Sequence, residues 1–187
     1  MSSHQPVHFE RVIASRRIYE GRIVNLREDT VELDDGRRAL REVVEHADVV
    51  AIVPLDEAGR VVMVRQYRLP VAQALLEVPA GGVEPGESVE EAAQRELQEE
   101  TDLRAAELQR LGGFYVSPGY CTELIHVLLA TGLSESAAEA DPDEQITVER
   151  VPLAAALRLV EAGEVRDSKS IIGLLWAAKA RGLIVHR

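Results

Sequence analysis

The chain has 187 residues, of which 46% are hydrophobic and 28% charged, with a formal net charge of −11 at pH 7. These values are ordinary for a globular protein with a substantial core, and the acidic balance argues against non-specific binding to nucleic acid or to an anionic membrane. A single cysteine, Cys121, excludes an internal disulfide and, with no apolar stretch of signal-peptide or membrane-spanning length, predicts a cytoplasmic protein.

The first 45 residues are predicted to form a small antiparallel β piece. Strands are expected from Phe9 to Tyr19 and from Ile23 to Leu33. The turn Asp34–Gly36 then leads into a third strand at Arg37–Val44. We therefore divide the chain into an N-terminal piece, residues 1–45, and a larger domain, residues 46–187.

The larger domain combines strands with helices. Apolar and alternating runs predict strands at Val49–Leu55, Val61–Tyr67, Leu75–Val78, Gly112–Val116, Leu124–Leu129 and Ile146–Val151. Two helices are predicted to close the chain, at Leu153–Glu161 and Lys169–Ala180. Strands around a further central helix, with these helices packed outside, predict the α/β class and a three-layer sandwich with a mixed sheet.

The segment Gly81–Leu103 contains that central helix. Ser88, followed three residues later by Glu91, forms a capping box, so the helix is predicted to begin near Val89. At about 100° of rotation per residue, one face of the helix is apolar. This face consists of Val89, Ala92, Ala93 and Leu97.

Carboxylates interrupt the apolar face. Glu96 and Glu100, one turn apart, fall in its middle, and Glu99 lies at its edge. Buried carboxylates without a partner are costly, whereas a bound cation removes that cost, so the pattern predicts a metal site. The alternative is a solvated acidic helix in which Arg95 pairs with Glu99 across one turn.

The spacing of the segment resembles the Nudix box, Gly-x5-Glu-x7-Arg-Glu-U-x-Glu-Glu-x-Gly-U, where U is a bulky apolar residue. Gly81, Glu87 and the run Arg95–Leu103 match every defined position except one, because Asp102 stands where the family has glycine. That glycine lies where the helix ends, a place that often needs a left-handed residue. Because Asp tolerates this conformation better than most residues, the exchange is expected to affect local stability more than chemistry.

The resemblance implies an αβα fold and hydrolysis of a nucleoside diphosphate linked to another group. It assigns five positions to the metal. Ala80 is expected to contribute its backbone carbonyl, and Glu87, Glu96, Glu99 and Glu100 are expected to contribute their carboxylates. Glu99 is also expected to position water, and Arg95 is expected to belong with the catalytic residues. Oxygen ligands suit Mg²⁺ or Mn²⁺ and suit Zn²⁺ or Cu²⁺ poorly.

Outside the box, the chain resembles the ADP-ribose pyrophosphatase branch of the family. The resemblance runs through Arg41–His46, Arg65–Arg68, Leu76–Gly81, Ser117–Gly119 and Asp167–Gly173. It implies cleavage of ADP-ribose into AMP and ribose 5-phosphate, by a homodimer that exchanges its N-terminal strands. Two alternatives are another nucleoside diphosphate sugar, such as GDP-mannose, and a non-catalytic nucleotide-sensing module, which the intact carboxylates disfavour.

The residues expected to contact the substrate are Arg41, Glu42, Arg68, Glu123 and Tyr19. A guanidinium fork suits phosphate, and an acidic protein needs local positive charge to bind an anion. Arg41 could equally be a surface cation on its strand. Tyr19 and Phe9 offer aromatic surface for adenine, although core packing claims most aromatic residues.

The resemblance places the catalytic base in the acidic loop before the last strand. Aligned on Ile146, the candidate is Glu144, with Asp143 and Asp141 as neighbours that could substitute. A carboxylate there is expected to swing in once metal and substrate neutralise the site. The alternative is a solvated loop. His46 and His126 are interpreted as packed or surface residues.

Overall fold

The computed structural model describes residues 8–137 and 145–183. The chain divides into two compact units. The first contains Met1–Ala47 and Tyr115–Glu123, and the second contains Asp48–Phe114 and Leu124–Arg187. None of the helices in the described ranges is long and apolar enough to cross a membrane.

The first unit is an antiparallel sheet of three strands in the order β1-β2-β3. The strands are β1, Arg11–Glu20; β2, Asn25–Glu32; and β3, Arg38–Glu45. In the register of the sheet, Asp29 on β2 lies between Ser15 on β1 and Arg41 on β3. The predicted antiparallel N-terminal piece is confirmed. The loop segment Tyr115–Glu123 also belongs to this unit. The amide of Val44 on β3 donates a hydrogen bond to the carbonyl of Tyr120 in this segment at 2.7 Å.

The second unit contains the remaining strands, a 3-10 helix at Leu69–Val71 and the three α-helices of the described chain. The strands are β4, Val49–Pro54; β5, Arg60–Arg68; β6, Gln73–Glu77; β7, Ala80–Gly82; β8, Leu103–Tyr115; β9, Leu124–Glu135; and β10, Ile146–Pro152. The helices are α1, Val89–Thr101; α2, Leu153–Glu161; and α3, Ser168–Ala180. One sheet has the order β7-β4-β9-β8 and the other β10-β5-β6. The first is mixed, because β4 runs antiparallel to β7 and parallel to β9.

Strand β4 separates the two layers of helices. Its side chains alternate in direction, as a strand requires. Val50 and Ile52 pack in one core cluster with Leu97 of α1, whereas Ala51 packs in the other with Leu174 of α3. With α1 on one face and α2 and α3 on the other, the predicted αβα sandwich with a mixed sheet is confirmed.

Helix α1 begins and ends where its sequence signals lie. The side chain of Ser88 accepts a hydrogen bond from the amide of Glu91 at 3.3 Å, and the Ser88 amide donates to the Glu91 carboxylate at 2.9 Å. This capping box starts the helix at Val89, as predicted. At the other end Asp102 has φ 55° and ψ 28°, the left-handed conformation.

Three strands differ clearly from the prediction, and one of them, β9, runs to Glu135 where an end at Leu129 was expected. β7 was not predicted, and β8 begins at Leu103 rather than at Gly112. Between β6 and β7 the chain passes from one sheet to the other in only two residues, Val78 and Pro79. This short crossing places the start of β7 beside α1.

Candidate metal centre

Two carboxylates of α1 lie against the backbone of β7. A Cβ atom placed ideally on Gly81 would lie 2.0 Å from Cδ of Glu96 and 2.1 and 2.2 Å from its two oxygens. The Glu96 carboxylate therefore fills the space that a side chain at Gly81 would need. Glu100 is only 8% exposed, and its Oε2 accepts the amide hydrogen of Ala80 at 3.3 Å.

Arg95 joins the neighbouring carboxylates. Its Nη1 donates to Glu96 at 2.7 Å and to Glu99 at 3.1 Å, so the pair expected from the helix spacing is present. Its Nε and Nη2 both donate to Glu87 at 3.0 Å, and Nη2 also donates to the carbonyl of Gly82 at 2.8 Å. Hydrogen bonding to Glu87 raises the pKa of Arg95 and lowers the pKa of Glu87, so both groups are charged at neutral pH.

The donor atoms at this place suit a hard divalent cation. Within residues 8–137 and 145–183, His, Cys, Asp and Glu side chains form no group of three or more that could hold a metal ion as they stand. Glu96 and Glu99 instead contact the Arg95 guanidinium. The groups gathered around β7 are nevertheless carboxylate and carbonyl oxygens, the ligands that Mg²⁺ and Mn²⁺ prefer. The residues therefore fit such a cation, which would compete with Arg95 for the carboxylates.

A second charged group lies at the start of the same crossing. Arg68, at the end of β5, donates from Nε and Nη2 to the two oxygens of Glu77 at 3.1 and 2.7 Å. Lys169 also donates to Oε2 of Glu77, at 2.5 Å. Burial raises the pKa of Glu77, but the hydrogen bonds and charges of Arg68 and Lys169 outweigh it and the net shift is downward. Sequence reasoning found Arg68 but missed Glu77 and Lys169; a glutamate in an apolar strand was the available signal.

Three of the predicted substrate contacts, Arg41, Glu42 and Tyr19, lie on the N-terminal sheet. Arg41 forms an ion pair with Glu10, with Nε 2.9 Å from Oε2. Tyr19 is exposed, and its ring covers Gly21, where an ideal Cβ would lie 2.5 Å from Cε1 of Tyr19. The pairing of Arg41 agrees with a surface cation on a strand and leaves its substrate role a prediction.

The remaining candidates lie in both units or outside the described residues. Glu42 is exposed on β3, and Glu123 is partly buried at the end of the loop in the same unit. In the second unit, Nε2 of His126 lies 3.0 Å from Oδ2 of Asp48. The predicted base and its two neighbours, Glu144, Asp143 and Asp141, lie outside the described residues.

Three relatives of the chain carry different names. It is 42% identical over 163 residues to the ADP-ribose pyrophosphatase of Bacillus subtilis (strain 168), a match that covers 86% of this chain and 88% of the relative. It is 38% identical over 167 residues to the methanol dehydrogenase activator of Bacillus methanolicus, covering 88% and 90%. It is 33% identical over 145 residues to a GDP-mannose pyrophosphatase of Citrobacter koseri, covering 72% and 75%.

The fold and the sequence also match known families. The crystal structure of an ADP compounds hydrolase aligns with a TM-score of 0.84 at 25% identity, covering 94% of this chain and 97% of that chain. The nucleoside diphosphate sugar hydrolase N-terminal domain matches residues 10–44, and the NUDIX domain matches residues 45–172. Because the NUDIX match alone spans more than half of the sequence, this chain belongs to the Nudix hydrolase family.

Proposed function

We propose that this chain hydrolyses the diphosphate of ADP-ribose to AMP and ribose 5-phosphate with Mg²⁺, or Mn²⁺ in its place. The observation that carries the proposal is the packing of Glu96 and Glu100 against the backbone of β7, which gathers hard oxygen donors at one place. Nudix hydrolases generally require a divalent metal. The Bacillus subtilis relative, named an ADP-ribose pyrophosphatase, supports the choice of substrate.

In this proposal the carboxylates of Glu96, Glu99 and Glu100 and the carbonyl of Ala80 hold the cation. When bound, the cation neutralises the diphosphate and acidifies a water molecule for in-line attack. Arg95 draws Glu96 and Glu99 together and thereby offsets their mutual repulsion. Glu87 supports the group indirectly, because it fixes the other edge of the Arg95 guanidinium.

The reaction also needs a base. Water adds to one phosphorus atom, the P–O bond to the bridging oxygen breaks, and a carboxylate takes the proton that water loses. We assign this role to Glu144, with Asp141 and Asp143 as neighbours. The Glu144→Gln variant is expected to lower kcat by about 100-fold or more, the usual contribution of a general base, with Mn²⁺ binding unchanged. Unchanged turnover would move the base to a neighbour or to Glu99.

We assign the substrate phosphates to Arg41 and Arg68, and the rest of the substrate to Tyr19, Glu42 and Glu123. The net charge of −11 makes local cations necessary for an anionic ligand. A planar guanidinium can donate two parallel hydrogen bonds to a phosphate group. For Arg41, such a ligand would compete with Glu10, its present partner.

We also propose a homodimer formed through the N-terminal sheet. Val12, Ile18 and Tyr19 on β1 are exposed large apolar side chains, and β1 is an edge strand of its sheet. A strand edge and an apolar surface together favour pairing with a second copy. The single cysteine agrees with a reducing, cytoplasmic location.

A second substrate class keeps the same chemistry. The relative named GDP-mannose pyrophosphatase favours a nucleoside diphosphate sugar other than ADP-ribose. The metal site would be unchanged, because both substrates present the same diphosphate. The difference would lie in the residues that contact the base and the sugar.

Product analysis separates these functions. The protein is incubated with ADP-ribose, GDP-mannose, NADH and diadenosine polyphosphates, with Mg²⁺ or with EDTA, beside a Glu96→Gln, Glu100→Gln double variant. Metal-dependent AMP release from ADP-ribose that the double variant lacks supports the proposal. Faster release from GDP-mannose moves the substrate to the second class. A wild-type protein that binds ADP-ribose without converting any substrate contradicts an enzymatic role.

A further inference from the structure

Three successive residues, the two of the crossing between β6 and β7 and the first of β7, are tied to three different elements. The amide of Val78 donates to Oγ of Ser170 on α3 at 2.8 Å. The carbonyl of Pro79 accepts from Ile52 on β4 at 2.8 Å, and the amide of Ala80 donates to Glu100 on α1 at 3.3 Å. The backbone that leads into the candidate metal centre is therefore held from three sides.

The N-terminal end of α3 also holds the residue that precedes this crossing. Lys169 is 12% exposed, and its Nζ lies 2.5 Å from Oε2 of Glu77 and 3.0 Å from Oδ2 of Asp167. The same Oε2 accepts from Nη2 of Arg68 at 2.7 Å. One carboxylate, itself 1% exposed, thus takes hydrogen bonds from two cations on separate elements.

The arrangement links α3 to Arg68 through Glu77. A buried carboxylate needs its charge compensated, and removing one partner of a buried pair is strongly destabilising. Without Lys169, Arg68 would be the remaining cation among these contacts, so its guanidinium would pair more strongly with Glu77. Because Glu77 lies three residues before Ala80, a displacement of the Glu77 backbone would act on the start of β7 through only two residues, Val78 and Pro79.

We propose that Lys169 is a positioning residue for the hydrolysis. Through Glu77 it orients the Arg68 guanidinium toward a substrate phosphate and holds Ala80 where its carbonyl joins the metal-binding carboxylates. This inference rests on the proposed function, in which Arg68 and Ala80 act directly on substrate and metal. Lys169 itself touches neither.

The test compares Lys169→Met with Lys169→Arg and with the matched control Lys179→Met. Lys179 lies on the same helix and is exposed in its last turn, so its replacement removes the same charge away from Glu77. Mn²⁺ binding is measured by electron paramagnetic resonance without substrate, and KM, kcat and Tm are measured with ADP-ribose. Lys169→Met is expected to weaken Mn²⁺ binding about 10-fold and to raise KM, as loss of outer-sphere partners does. Lys169→Arg should bring Mn²⁺ affinity and KM most of the way back to the wild-type values, and Lys179→Met should match the wild type in both.

A double variant, Glu77→Gln with Lys169→Met, separates positioning from folding. It removes both buried charges, so it should recover stability lost in Lys169→Met while Mn²⁺ affinity and KM stay impaired. If Lys169→Met lowers only Tm and binds Mn²⁺ and substrate like the wild type, Lys169 is structural and the inference is overturned. If Lys169→Met does not fold, the same result in the double variant overturns the inference. Wild-type protein that binds Mn²⁺ but converts no diphosphate contradicts the proposed function instead, and the Mn²⁺ comparison then still decides whether Lys169 positions Ala80.

Discussion

Replacing Gly81 with alanine tests the placement of Glu96. The added Cβ would lie 2.0 Å from Cδ of Glu96, whereas two carbon atoms pack at about 3.5–4.0 Å. The carboxylate must therefore retreat by more than about 1 Å. A misplacement of about 1 Å in an active site costs about 100-fold in rate, or about 2.7 kcal/mol of transition-state stabilisation. We expect kcat/KM for ADP-ribose to fall by at least this factor.

Gly82→Ala is the matched control. No heavy atom lies within 4 Å of an ideal Cβ at Gly82, and neither glycine has a positive φ, so alanine strains the backbone at neither position. The assay measures kcat/KM at saturating Mg²⁺ together with Tm for both variants. Gly82→Ala should keep wild-type kinetics, with stability unchanged or slightly raised. If Gly81→Ala stays within about threefold of Gly82→Ala, about a thirtieth of the loss expected, Glu96 does not act from the position described.

Three further predictions concern stability and pH. Asp102→Gly is expected to raise the free energy of unfolding by about 1 kcal/mol, because glycine adopts φ 55° without the strain of a side chain; a lower Tm would contradict this. Ser88→Ala should lower it by about 1 kcal/mol through loss of the helix cap, and an unchanged urea midpoint would argue against the cap. The hydrogen bond from Ser15, with a further one from Arg27, outweighs burial and lowers the pKa of Asp29. The contribution of Asp29 to stability is therefore present above about pH 4 and is lost as the pH falls through the folded-state pKa. Unfolding at a series of pH values should therefore show a shallower acid loss in Asp29→Asn than in the wild type.

Local signals predicted the elements whose stability is mostly local. The capping box at Ser88 placed the start of α1, and the apolar run at Val49 placed β4. The bounds of α2, Leu153–Glu161, were predicted to the residue. In each case the residues that determine the element are close neighbours in sequence, so their pattern can be read without the fold.

The elements that were missed depend on distant partners. β7 consists of Ala80, Gly81 and Gly82, residues with weak strand preference that become a strand by pairing with β4. The first part of β8 is rich in Ala, Glu, Leu and Arg, which favour a helix, yet it lies next to β9 in the sheet. Lys169 is 92 residues from Glu77, so no local pattern could reveal that pair.

The end of α1 shows why the candidate site conflicts with the rules that predict helices. A helix C-terminus is favoured by basic residues, but the last turn of α1 contains none, and Glu99, Glu100 and Asp102 gather there instead. In the group around Arg95, the carboxylates of Glu87, Glu96 and Glu99 outnumber the guanidinium three to one. Such repulsion lowers the stability of the metal-free protein, and a divalent cation that binds only the folded state would offset it in proportion to RT ln(1 + [metal]/Kd). The same carboxylates that make α1 a poor helix by its charge pattern are therefore those expected to make the fold respond to metal.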